Sequence, residues 1–427
     1  MKTQTNILLL ILFGLINLFI SSSLFGIEDE KASNMVKSDE VATLKSLLKS
    51  LIDNAENELF SVHFQSIIDV IESKDVLTKY DTAYLKVTLP VFTDQTVQGN
   101  ASEISSYLNR QRQLVISWVS PTDGKTSFLR LRLPKDWDPG KTYPLYIELH
   151  GLWDVANNPI AFMTYNYRNA PSTSFQFEDG YQLLPWGRGN LWYQGISETD
   201  IWEGIEKIES MVKIDQSRKY LTGHSMGGYG AWSIASKSSE VWAAIGIHAG
   251  ALGYGTDNML SSEKIENLSK LPTYFVVGNS DGIYNVNLIA YNLLNDAGNL
   301  DTKFVTFPGG HDYLSENVDN MYLWLKEFEN ENYTGFIESR EKGENNVLIC
   351  PNPVRSEANI YLNLEKPGHV KLNLYNTLGE KVAVILNKKM VSGESVIQWD
   401  RGDLPSGLYS FSLQIGKSKM NRKLILY

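Results

Sequence analysis

Cysteine is almost absent from this chain of 427 residues: Cys350 stands alone. One thiol excludes an intramolecular disulfide and any cysteine-based metal cluster. Histidine is nearly as sparse. His63, His150, His224, His248, His311 and His369 form no H-x-H or H-x-x-x-H pair, so no zinc site is expected. Long basic runs are missing and the net charge is −10, which argues against nucleic acid as a partner. A membrane-spanning run is missing as well. The longest apolar stretch, Ile7–Ile20, has fourteen residues, against the roughly 20 that a spanning helix needs.

That stretch is the first thing present. Lys2 precedes it and the small residues Ser21–Ser23 follow, the layout of a cleavable export signal over residues 1–26. No cysteine follows the apolar core, so a lipid anchor is not expected. An exported chain with no stable membrane span is the expectation. Apolar residues make up 43% of the sequence, ample for two or three cores.

Residues 27–110 read as a helical prefix. Val41, Leu44, Leu48, Leu51 and Ala55 fall on one stripe, and Phe60, Phe64, Ile67, Ile68 and Ile71 on a second. A hairpin follows, Gln113–Ser120 and Ser127–Leu133 around the turn Pro121–Gly124. Tyr143–His150 reads as a buried strand. Residues 152–193 form a long connection with ten aromatics, among them Trp153, Tyr165, Phe175, Trp186 and Trp192. Connections of that length are usually functional or disordered, and so many aromatics argue against disorder.

A helix from Thr199 comes next. After it, strands (Lys219–Thr222, Val241–Ile247, Thr273–Val277, Lys303–Phe307) intersperse with helices (Gly228–Ala235, Asn285–Asn295, Asn317–Glu329). That order implies an α/β domain over 111–330, a mostly parallel sheet with helices on both faces. Its chemistry should collect at the carboxyl ends of the strands. The polar stretch 331–346 reads as a linker, and short alternating strands over 347–427 suggest a small β-sandwich.

Within the α/β domain the stretch KYLTGHSMGGYGAW (219–232) holds Gly223-x-Ser225-x-Gly227 between a strand and a helix. This is the nucleophile-elbow pattern, a tight turn that lifts a serine above the sheet. Alone it is weak, since such a pentapeptide arises by chance roughly 0.2 times in a chain of this composition. Its partners decide the matter. A serine hydroxyl needs a base to take its proton and a carboxylate to orient that base. In this fold they follow in the order serine, acid, histidine. Asp281 in GNSDGIY and His311 in FPGGHDYL follow successive strands in that order.

Asp312 is a rival acid, but a residue adjacent to His311 cannot easily reach its imidazole edge. Asp281 could instead be a turn or cap residue. His224, inside the elbow, reads as packing, and His248, after its strand, as either buried or lining the site. Donors for a developing oxyanion are placed at the backbone N–H of Met226, opening the helix, and of Leu152, in the loop after Tyr143–His150. Trp153, Trp186 and Trp192 are candidates to stack on a substrate ring, although packing of a long loop explains them equally.

Several stretches carry a family resemblance: YPLYIELHG (143–151), GRGNLWYQG (187–195) with ETD (198–200), IDQSRKYLTGHSMGGYGAW (214–232), GNSDGIY and PGGH. They resemble secreted α/β-hydrolases of the esterase and prolyl-oligopeptidase-like group, including feruloyl and acetyl-xylan esterases. The resemblance implies Ser225 as nucleophile, His311 as base, Asp281 as orienting acid, no cofactor, and an acyl ester, saccharide-linked by expectation, as substrate. Residues 27–110 are too short and helical for the β-propeller of a prolyl oligopeptidase, which favours an esterase over a peptidase. A non-catalytic carbohydrate-binding protein on the same scaffold is a further alternative. CPNPVRSEANIYLNL (350–364), VKLNLYNTLGEKV (370–382), LPSGLYSFSL (404–413) and KLILY resemble the C-terminal sorting domain of type IX secretion cargo. That implies export across an outer membrane and the secretion machinery as a partner; a polysaccharide-binding sandwich is the alternative.

Overall fold

The structure, a computed structural model, describes residues 38–53, 55, 58–88, 112–164, 178–254, 258–330, 346–350, 354, 356–416 and 418–426. The export signal expected at 1–26, most of the linker, Tyr165 and Phe175 lie outside the described residues.

Eight strands form one mixed sheet: β1 (Gln113–Val119), β2 (Thr126–Arg132), β3 (Tyr143–Leu149), β4 (Tyr181–Pro185), β5 (Ile214–His224), β6 (Ala244–His248), β7 (Thr273–Gly278) and β8 (Thr302–Phe307). Their order is β1-β2-β4-β3-β5-β6-β7-β8. β1, β2 and β4 pair antiparallel, and β4 through β8 run parallel. The central parallel strands are buried on both faces, as the continuous apolar runs in LYIEL, AIGIH and TYFVVG require. This is the α/β-hydrolase-like arrangement expected from the motifs.

One strand escaped the sequence pattern. β4 sits inside the connection 152–193, along with a 3₁₀ turn at Asp154–Asn157. It is only five residues long, and it buries Gln182, whose amide donates to Glu148 at 2.8 Å. A polar residue at a core position hid the strand from a reading based on apolar runs.

The N-terminal helices are α1 (Ser38–Asp53), α2 (Glu58–Glu72) and α3 (Lys79–Thr88). Phe60, Phe64, Ile67 and Ile71 of α2 enter the same hydrophobic cluster as the sheet, so this layer shares the core of the α/β domain. Its docking is also polar. β1 is an edge strand, and the N–H groups of Val115 and Ser117, two residues apart, point along that edge. His63 Nδ1 accepts the first at 2.8 Å and Ser66 Oγ the second at 2.8 Å, while Asp69 accepts from the Ser117 hydroxyl at 2.7 Å. Residues three apart on a helix share a face, so α2 presents these acceptors in register with the strand. An open edge that could template aggregation is closed this way.

The remaining helices of the domain are α4 (Pro159–Thr164), α5 (Ile196–Glu209), α6 (Met226–Lys237), α7 (Ser262–Leu268), α8 (Tyr284–Asp296) and α9 (Ser315–Leu325). Among the described residues no helix is long and apolar enough to cross a membrane.

Residues 346–426 form two antiparallel sheets. β9 (Asn346–Cys350), β10 (Glu357–Leu364) and β13 (Gly393–Asp400) make one, in the order β13-β10-β9. β11 (Gly368–Tyr375), β12 (Lys381–Met390), β14 (Gly407–Ile415) and β15 (Ser418–Leu426) make the other, in the order β12-β11-β14-β15. Ile360 and Leu362 from the first sheet share a buried cluster with Leu372, Leu374, Phe411 and Leu413 from the second.

Candidate active site

β5 ends at His224 and α6 begins at Met226, leaving Ser225 alone at the turn with φ 56° and ψ −113°. A non-glycine residue at positive φ is strained, and such strain persists only where the surroundings impose it. Here they do. The Ser225 N–H donates to the His248 carbonyl at 2.9 Å, and its own carbonyl accepts from Tyr229 and Ala251, both at 3.1 Å. Gly227 permits the turn: a Cβ there would lie 1.9 Å from the Leu149 carbonyl oxygen on β3.

Two loops at the carboxyl end of the sheet converge on this serine. His311, after β8, places Nε2 2.8 Å from Ser225 Oγ and Nδ1 2.8 Å from an Asp281 oxygen. Asp281, after β7, is buried, and its other oxygen accepts from the Ile283 N–H at 3.1 Å. With a carboxylate on Nδ1, the imidazole proton is held there and Nε2 keeps its lone pair toward the hydroxyl. Asp312 turns away. Its carboxylate accepts from the Gly310 N–H at 3.0 Å, inside its own loop.

Behind His311 lies a layer of rings. The His224 ring stands 5.0 Å from that of His311 and 4.7 Å from that of His248, and Tyr313 packs on both His224 and His248. Burial, with the neighbouring imidazoles, holds His224 well below the usual histidine range. Burial likewise pushes His248 down to about 4. His248 is 1% exposed, so its side chain does not face substrate, contrary to one of the two expectations for it. The ring packs on His224 and Tyr313 instead.

The loop after β3 passes beside Ser225. A Cβ on Gly151 would sit 3.5 Å from the Ser225 Cβ, so the Gly151 backbone borders that residue. Neither the Leu152 N–H nor the Met226 N–H has a backbone acceptor among the described residues. The next residue is pinned: Asn190 accepts from the Trp153 N–H at 3.1 Å and donates to the Trp153 carbonyl at 3.0 Å.

The three tryptophans separate. Trp186 is consumed by structure, its indole N–H bonded to the Ala156 carbonyl at 2.7 Å and its ring stacked on Phe128. Trp153 packs edge-on against Phe162. Trp192 is different. It holds φ at 59°, stacks at 21° on Tyr254, and lies edge-on to Tyr229, one helical turn past Ser225. Tyr254 follows the sixth strand in a stretch with no motif, so nothing in the pattern of residues marked it. Tyr313, also unmarked, packs on His224 and His248 and donates its hydroxyl to Glu148 at 2.8 Å. Among the described residues no His, Cys, Asp and Glu group is arranged to hold a metal ion.

Comparison with known proteins matches two segments of the chain. Residues 205–319 match the esterase family model, described as "Putative esterase", and residues 348–427 match a "Secretion system C-terminal sorting domain". Similar solved structures include a ferulic acid esterase, 16% identical, covering 50% of this chain and 98% of its own, with a TM-score of 0.39. An S-formylglutathione hydrolase from Agrobacterium tumefaciens is 19% identical over 50% of this chain and 94% of its own, with a TM-score of 0.39. A mutant feruloyl esterase module from Clostridium thermocellum, complexed with sinapinate, is 15% identical over 51% and 88%, again with a TM-score of 0.39. The chain therefore joins an esterase-family domain of α/β-hydrolase-like fold to a type IX secretion-system C-terminal sorting domain, which directs it to the outer surface or beyond.

Proposed function

We propose that this is an exported serine esterase that cleaves acyl esters, carried on polysaccharide or oligosaccharide, through a Ser225–His311–Asp281 triad. The observation that carries the reading is the single imidazole of His311 bridging Ser225 Oγ and Asp281 at 2.8 Å each. Ser225 attacks the ester carbonyl while His311 takes its proton, and Asp281 stabilises the imidazolium. The tetrahedral oxyanion is held by the N–H groups of Met226 and Leu152, where loss of one donor costs about 3–4 kcal/mol of transition-state stabilisation. His311 then protonates the leaving alcohol. Water then attacks the acyl carbon as His311 takes its proton, and the acid departs as His311 returns that proton to Ser225 Oγ. No step calls for a cofactor.

The stacked pair Trp192–Tyr254 supports a ring-bearing substrate, sugar or aryl, because a held aromatic face offers contact area at little entropic cost. The sorting domain supports the setting, since an enzyme placed outside the cell meets polymers that cannot enter it. A fluorophosphonate probe tests the chemistry: one label per chain is expected in the wild type and none in Ser225→Ala. Labelling that persists in the variant would refute the assignment of the nucleophile. Turnover of p-nitrophenyl acetate, methyl ferulate and acetylated xylan, set beside a prolyl peptide, then ranks the substrate class.

A further inference from the structure

His248 is buried and holds a nitrogen with nowhere to go. Its Nδ1 has no hydrogen-bond partner, and an unsatisfied buried polar atom is costly enough to need a reason. A phenylalanine or leucine would fill the same space without that cost. The other atoms of the residue supply the reason. Its backbone carbonyl accepts the Ser225 N–H at 2.9 Å, and its Nε2 stands 3.2 Å from the carbonyl of Asp312, the residue that follows His311. One residue at the end of β6 therefore touches the nucleophile's backbone on one side and the base's loop on the other.

From this geometry we infer that His248 is a positioning residue for the triad, holding the His311 loop in register with the elbow. The inference rests on the serine-esterase reading. A carbonyl can only accept, so the ring must carry its proton on Nε2, and Nδ1 keeps a bare lone pair. The groups facing the ring leave it in that state. His224 and Tyr313 pack on it, His311 lies beyond His224, Asp281 is near enough to act on its charge, and Glu148 is bonded behind Tyr313. The result is a fixed donor that does not titrate where an esterase works. Ser225 and the His311 loop sit on different strands and share no other residue that bonds to both among the hydrogen bonds described. Removing the Nε2 donor frees the Asp312 carbonyl and lets His311 drift from Ser225 Oγ, and a displacement of about 1 Å can cost on the order of 100-fold in rate.

The test compares His248→Phe, His248→Asn and His248→Gln in the full chain. A glutamine amide reaches the place of Nε2, and an asparagine amide stops short of it. With p-nitrophenyl acetate, kcat is expected to fall about 10- to 100-fold in Phe and Asn, with KM within about twofold. Gln is expected to recover most of the loss. Melting temperatures should not follow that order, with Phe equal to or above wild type. A second readout is the strongly deshielded proton of the His311–Asp281 hydrogen bond in the wild-type NMR spectrum, expected to broaden or shift in Phe and return in Gln. If Phe does not fold, the Asn–Gln pair decides alone. Equal kcat in Asn and Gln, or rates that simply track melting temperature, would overturn the proposal. Failure of the underlying esterase reading looks different: the wild type itself would neither take up fluorophosphonate nor turn over the ester.

Discussion

Two margins of one sheet use buried histidine in opposite ways. At the β1 edge, His63 is an acceptor: Nδ1 takes the Val115 N–H and fastens α2 to an otherwise open strand. At the carboxyl end, His248 is a donor: Nε2 faces the Asp312 carbonyl in the His311 loop. Burial depresses both, His63 to about 3 and His248 to about 4, so both are neutral at pH 7. The same side chain in the same dry environment serves architecture in one place and alignment in the other. The difference lies in the backbone group that meets it. His63 meets the Val115 N–H and His248 the Asp312 carbonyl, and neutral imidazole can answer either by choosing its tautomer.

The comparison breaks most sharply if activity and stability can be lost separately. His311→Ala should lower kcat/KM by about 10⁶-fold toward any good ester substrate. Its urea midpoint should stay near the wild-type value, because the His311 side chain is 29% exposed and its removal opens no deep cavity. A large shift of that midpoint would mean the carboxyl end is as architectural as the β1 edge.

Acid should strike next. Both buried histidines have folded pKa values below the unfolded value of 6.5, so the unfolded chain binds protons that the native chain refuses. Their stabilising effect is complete above pH 6.5 and is lost as pH falls toward their folded values of about 3 and 4. For His63 alone, at about 1.4 kcal/mol per pH unit, moving from pH 6.5 to 4.5 costs roughly 2.5 kcal/mol. His63→Asn keeps an acceptor at the place of Nδ1 for Val115 and cannot titrate, so the slope of stability against pH should flatten by about one proton. An unchanged slope would show that His63 is not dry.

The smallest effect sharpens the comparison from the other side. His63→Leu leaves the Val115 N–H without its acceptor, a loss of about 1–3 kcal/mol by chemical denaturation. Turnover should be unchanged at temperatures where the variant is folded. If kcat falls as well, the N-terminal layer reaches the site. Its route would run through Asp81 of α3, which accepts from Asn158 at 2.7 Å at the start of α4, downstream of Leu152.

Local patterns carried much of the design. The G-x-S-x-G turn, the order of Ser225, Asp281 and His311, and the alternating strands 347–427 were legible because each follows from spacing along the chain. β5 proved longer than its apolar core at both ends, Ile214–His224, since pairing with β3 and β6 extends a strand past its apolar residues. β4 was illegible because Gln182 is satisfied by Glu148, 34 residues away in the chain.

By itself, then, the sequence determined the elements, their order, and which residue types stand at the strand ends, because backbone periodicity and glycine placement act over a few residues. Only the tertiary structure decided how those residues meet. It set Trp186 to packing and Trp192 against Tyr254, turned Asp312 away from His311, and gave His248 a place against the His311 loop. Each of these depends on a hydrogen-bond or stacking partner that the chain brings close only by folding. No local pattern encodes such a partner.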